Sequence, residues 1–193
     1  MNHLFELPDS YVCVDLETTG LNPCRDKIIE IGAVKVKDNE ITDTFQTLVD
    51  PGYHISSFIT GLTGITDDML SSAPGIFEAL PEFLNFADGN ILMGHNIHSF
   101  DIKFISSSCL LVTGKPFDGD HIDTLYLSRK LFPYERHHRL CDLITRFNIA
   151  EREEHRALSD ALQTVDCYNY MRKYMQEHGI TPEEIRPCRR SGY

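Results

Sequence analysis

The sequence predicts an α/β fold: a mixed five-stranded sheet with helices packed on it. Two observations lead there. The strand-like run Tyr11–Glu17 is followed by Ile28–Val36 and Ile41–Val49, with no room for a helix between them. Short apolar runs at Ile91–Met93 and His121–Thr124 then alternate with stretches of helical period. Strands first, then strands alternating with helices, is the pattern of a mixed sheet covered by helices. At 193 residues one domain suffices, and it can bury a substantial core.

Taken in order, Met1–Ser10 reads as a leader. Successive side chains of Tyr11–Glu17 alternate, so Cys13, Asp15 and Glu17 share one face and Val12, Val14 and Leu16 the other. Gly20 and Asn22-Pro23 mark a loop over 18–27. Ile28–Val36 alternates, Asp38-Asn39 is a hairpin turn, and Ile41–Val49 returns. Asp50-Pro51-Gly52 breaks the sheet. Residues 53–66 read as loop, ending at Thr66, which caps a short helix through Leu70. Pro74–Phe86 has a helical period in Ile76, Phe77, Leu80, Phe83 and Leu84, with Pro81 inside it.

Ser99 reads as the N-cap of a helix through Val112, with Phe100, Phe104, Ile105 and Leu111 facing inward. Lys115-Pro116-Phe117 is a turn. Helices follow through Phe132 and over Arg139–Phe147, then a charged loop, Glu151–Glu154. The last long helix, Ala157–Glu177, buries Ala157, Leu158, Ala161, Leu162, Val165 and Tyr168. Pro182 and Pro187 mark a tail, 178–193, to which no structure is assigned.

Hydrophobic content of 41% and charged content of 24% are those of an ordinary globular protein. A net charge of −11 argues against broad coating of nucleic acid, which needs a basic surface. It leaves room for an enzyme that grips a few nucleotides and neutralises phosphate with metal ions. The cysteines form no Cys-x-x-Cys pair, so a zinc site or disulfide framework is not expected. With no signal peptide and no membrane-length apolar run, reduced thiols in the cytoplasm are the simplest reading.

Three stretches carry chemistry. Asp15 and Glu17 end the first strand on one face, roughly 6–7 Å apart by strand geometry. At an effective dielectric of 20 their repulsion is on the order of 2–3 kcal/mol. Solvent, a basic side chain or a divalent cation would offset it. Asp101 lies in the first turn of its helix, where the macrodipole already favours an acid. His155 and Asp160 are five positions apart, about 140° of helical rotation, and converge only if His155 precedes the helix. Taken singly, a capping acid and a surface histidine also explain the last pair.

The joint pattern resembles the DEDDh, or DnaQ-like, 3′–5′ exonucleases, a family that includes the proofreading subunit of bacterial replicative DNA polymerase. The matching motifs are Val-Asp-Leu-Glu-Thr-Thr-Gly (14–20), His-Asn-Ile-His-Ser-Phe-Asp (95–101) and His-Arg-Ala-Leu-Ser-Asp-Ala (155–161). Ile28–Gly32, Thr60–Thr66 and Ile122–Leu125 support them, and the resemblance runs from Tyr11 to Tyr174. It implies an RNase H-like sheet and an exonuclease domain over 11–177. It further implies two divalent cations, Mg²⁺ or Mn²⁺: Asp15 bridges both, Glu17 and Asp160 complete one site, and Asp101 supports the other. His155 is then the general base, and nucleoside 5′-monophosphates leave the 3′ end of a single nucleic-acid strand, with DNA favoured. For substrate grip it implies Thr18 at the terminal sugar, Leu62 and Ile65 against the last bases, and Asn96 and Phe100 lining the same pocket. A free-standing enzyme is expected, with room for a polymerase partner. A fold that keeps its shape but not its catalysis, serving as a binding or partner module, is the rival reading. Arg129, Lys130, Arg136, Arg139 and Arg146, with His137 and His138, form a locally basic segment, read mainly as solvated surface.

Overall fold

The computed structural model describes residues 7–186. The outer parts of the leader and of the tail, residues 1–6 and 187–193, lie outside the described residues. Three strands open the chain: β1 (Tyr11–Thr18), β2 (Ile28–Lys37) and β3 (Glu40–Leu48). They form an antiparallel meander, and β4 (Leu92–Gly94) and β5 (His121–Asp123) add in parallel on the other side of β1. The order is β3-β2-β1-β4-β5, so β1 is central. Asp38 and Asn39 both have positive φ (52° and 68°), which a two-residue I′ hairpin turn requires.

Both faces of β1 are covered, which explains its near-continuous apolar run. Tyr11 and Cys13 pack in a core with Val165, Tyr168 and Met171 of α7 (Ala157–His178). The same core takes Leu127 of α5 (Thr124–Leu131) and Leu143 of α6 (Leu140–Arg146). Val12, Val14 and Leu16 face a second core built from α3 (Ile76–Ala87) and α4 (Asp101–Thr113). The edge strand β3 is exposed along most of its length and carries charge, as suits a strand that must not recruit another.

Several expectations are corrected. The 53–66 loop contains a helix, α1 (Ser57–Thr63), capped by Ser56 and closed by Gly64 at φ 71°. It buries only Ile59 and Thr63, so it leaves almost no hydrophobic period in the sequence. Thr66 caps α2 (Asp67–Leu70) as expected, accepting the Met69 N–H. Phe77 is exposed: it lies roughly 100° of helical rotation from the centre of the buried stripe of Ala79, Leu80, Phe83 and Ala87. Leu111 is exposed as well. Ser99 is not the N-cap of α4; Phe100 holds that position, because Asn96–Phe100 forms a turn of its own. The tail forms a short helix, α8 (Pro182–Ile185). There Glu184 accepts the Thr181 N–H (2.7 Å), Ile185 is buried, and its carbonyl accepts from the Tyr126 hydroxyl.

Candidate active site

In the β1–β2 register Asp15 stands opposite Gly32, and Glu17 opposite Glu30. Gly32 is where β2 lets α7 come down onto the sheet. A Cβ there would lie 2.1 Å from Leu158 N and 2.2 Å from the Ala157 carbonyl carbon. Packed backbone does not swing aside as a long side chain does, so glycine is required.

Glu30 fastens the same junction. It is fully buried and accepts from Arg156 Nε (3.1 Å) and Nη2 (2.7 Å), Ala157 N–H (3.0 Å) and Gln46 Nε2 (2.9 Å). Burial pushes its carboxyl up, but these donors outweigh burial and hold it below its ordinary value.

His155 immediately precedes this anchor. Its φ is 53°, and Arg156 is the N-cap, so His155 stands outside α7. Asp160 is buried one turn inside it. Ending the helix at Ala157 closes the five-residue spacing that a continuous helix would splay apart. Glu17, His155 and Asp160 each offer a ligand atom, all within 4.8 Å of one another.

Asp101 opens α4 and is buried. The turn before it is ordered by Asp123 at the end of β5, whose carboxylate accepts from Asn96 N–H (3.0 Å) and His98 N–H (3.2 Å). Asn96 is in the left-handed region, φ 61°.

Crowding defines the electrostatics. Burial pushes Asp15 well above its ordinary value, and the charges of Asp101, Asp160, Glu17 and Glu153 add to it. Burial, then Asp160 and Glu30, push Glu17 up to about 8. Burial, then Glu153, push Asp160 up to about 7. Asp101 is raised too, by burial, against the hydrogen bonds it accepts from backbone N–H groups. One buried oxygen each of Asp101 and Asp160 has no hydrogen-bond partner among the described residues. Hard oxygen donors that repel one another and lack partners fit a divalent cation, which would relieve both conditions.

The substrate-side expectations divide. Leu62 is exposed. Ile65 is wholly buried with Ile29, Ile55, Ile59 and Leu70, and a side chain enclosed there presents no face to a base; its role is in the core. Thr18 is buried and its hydroxyl donates to the Gly20 carbonyl (2.6 Å), so it shapes its own turn. Phe100 is half-buried against Phe104. Asn96 lines a groove of about 870 Å³ that also reaches Asp15 and His155. Arg129, Arg136 and Arg139 line it too, while Arg146 is tied to Glu135 (3.1 Å).

The three motifs do not include Gly32, Glu30 or Glu153, and the supporting stretch Ile28–Gly32 holds the first two without assigning either a role. A charged residue inside the apolar run Ile28–Ile31 is the signal for Glu30. Glu153, whose Oε1 is 3.9 Å from His155 Nδ1, is indistinguishable in sequence from its acidic neighbours.

Comparison with known proteins gives the family and the fold. A family model described as an exonuclease, RNase_T, matches residues 12–168. The PolC-type DNA polymerase III of Caldanaerobacter subterraneus is 44% identical over 90% of this chain, which spans 12% of that polymerase's length. The DNA polymerase III subunit epsilon of Aquifex aeolicus is 41% identical over 84% of this chain and 80% of its own. Among solved structures, E. coli Exonuclease I in complex with a dT13 oligonucleotide superposes with a TM-score of 0.76 at 16% identity. That match covers 89% of this chain and 43% of the other, and it is a likeness of fold.

Proposed function

The chain belongs to the RNase_T exonuclease family, and from that premise we propose that it removes nucleotides stepwise from the 3′ end of a single nucleic-acid strand. DNA is the favoured polymer and nucleoside 5′-monophosphates the product. The observation that supports this reading is the meeting of Glu17, His155 and Asp160 within 4.8 Å of one another, with the charges of Asp101, Asp160 and Glu17 all acting on the buried Asp15.

The four acids would hold two divalent cations, Mg²⁺ or Mn²⁺. Bound there, such cations supply charge stabilisation for the attacking and leaving oxygens of an in-line displacement. His155 takes the proton of the attacking water. Glu153 Oε1, 3.9 Å from Nδ1, sets a carboxylate beside the ring that takes this proton. The ring is 40% exposed, so water reaches it. Asn96 and Phe100 flank the terminal nucleotide, and Leu62 meets its base. The likeness to an epsilon subunit supports a polymerase as partner. No helix among the described residues is long and apolar enough to cross a membrane, and the cytoplasm is the compartment we assign.

The test is a 5′-labelled single-stranded oligonucleotide incubated with protein and Mg²⁺ or Mn²⁺. A ladder shortening by one nucleotide from the 3′ end, abolished by EDTA and by Asp15→Asn, is the expected result. Internal cuts, or an intact substrate in both metals, would overturn the reading.

A further inference from the structure

The groove beside the carboxylates gathers arginines in an otherwise acidic chain, set among Asp15, Glu151 and Glu153. The chain's net charge is −11, yet Arg129, Arg136, Arg139 and Arg152 all line this one hollow with Asp15. Arg139 is held by Asp142, Nε to Oδ2 at 3.0 Å. Arg129, Arg136 and Arg152 meet no carboxylate at ion-pair distance among the described residues. Glu151 and Glu153 line the same hollow without closing an ion pair with any of the three, so these exposed guanidiniums keep donors free for an anion.

The groove wall is anchored. His95 Nε2 donates to the His138 carbonyl (2.8 Å), and its Nδ1 lies 3.0 Å from the Thr124 hydroxyl. His138 Nδ1 lies 3.1 Å from Ser128 Oγ. Burial brings His95 down to about 4, so it acts as a neutral strut joining the end of β4 to the 133–139 loop. On that loop Tyr134 stands fully exposed, two residues before Arg136. Unpaired arginines along a groove, with an aromatic ring close by in sequence, are the ingredients of single-strand binding. Arginine's planar fork matches phosphate oxygens.

We propose that this groove holds the phosphates on the 5′ side of the scissile bond, with Arg129, Arg136 and Arg152 as their partners. The proposal rests on the exonuclease reading and names where its substrate is gripped. The strand is held by charge away from the reacting bond, so the grip belongs to the polymer and not to the terminal nucleotide.

Two measurements test it on the full chain. The first is binding of a fluorescent 12-nucleotide dT strand, by anisotropy in EDTA so that nothing is cut, across a salt series. The variant Arg129→Ala/Arg136→Ala/Arg152→Ala should bind about tenfold more weakly or worse, with a salt slope shallower by about 2. Arg136→Lys should keep the slope. Single alanine variants, each about a third of the slope change, stand in should the triple variant misfold by circular dichroism. The second measurement compares cleavage of the 12-mer with that of the p-nitrophenyl ester of thymidine 5′-monophosphate, which has no 5′-side strand. The triple variant should lose about tenfold more kcat/KM on the 12-mer than on the ester. Equal losses on both substrates, or wild-type affinity and slope in the triple variant, would overturn the groove assignment. Wild-type protein that cleaves neither substrate would sink the exonuclease reading, while the anisotropy arm would still decide the groove.

Discussion

His155 reaches Asp160 only because α7 begins after it, and its positive φ turns the chain into the helix. Replacing it with alanine should lower kcat by about 10²- to 10⁴-fold, the usual worth of a general base, with KM nearly unchanged; steady-state kinetics on an oligonucleotide checks this. Glu30 acts one step further back. Glu30→Gln keeps the shape but loses the charge that Arg156 grips and one acceptor oxygen. The expected cost is about 1–3 kcal/mol in urea unfolding, because a buried network is left partly unsatisfied. Activity should fall with it, since Arg156, which Glu30 holds, is joined directly to His155. A Glu30→Gln protein as active and as stable as the parent would mean that the junction does not position the base.

The α7–β2 junction is an element-scale device. Gly32→Ala drives a methyl into the backbone of Ala157 and Leu158 and should cost about 1–3 kcal/mol, read by urea unfolding. It should also reduce cleavage, because Asp160 and His155 ride on the displaced helix end. The elements differ in how openly the sequence declares them. The two-sided burial of β1 writes itself as Val-Cys-Val, and the I′ turn as Asp-Asn. The helix α1 declares little, since it contains Gly61 and turns Phe58 and Leu62 to solvent. The short α8 carries its Thr-Pro-x-Glu start in plain view, but two prolines so close together read as a break. The four acids Asp15, Glu17, Asp101 and Asp160 are legible only as a joint pattern of motifs, because residues so far apart in sequence leave no shared period. Their support is illegible for another reason: that Gly32 faces Asp15 depends on a strand register no local rule predicts.

For the molecule as a whole, the crowded acids set a pH dependence. In the unfolded chain Asp and Glu titrate near 4, whereas folding pushes Asp160 up to about 7 and Glu17 to about 8. Between those values the folded state binds more protons than the unfolded one, so metal-free stability falls as pH rises from about 4 toward 8. Melting temperature in EDTA should therefore drop between pH 5 and pH 8. Added Mn²⁺ should restore more of it at pH 8 than at pH 5, because there the ligands no longer hold protons. A flat profile without metal would show that burial and mutual repulsion do not raise these acids as described. A different consequence follows from the way α7 rests on β2. Its start brings His155 and Asp160 to a sheet that already carries Asp15 and Glu17, so a molecule whose final helix has lifted away retains the sheet but cannot cut. On the proposed reading, activity and the seating of that one helix rise and fall together, so loss of cleavage would report the state of the α7–β2 contact.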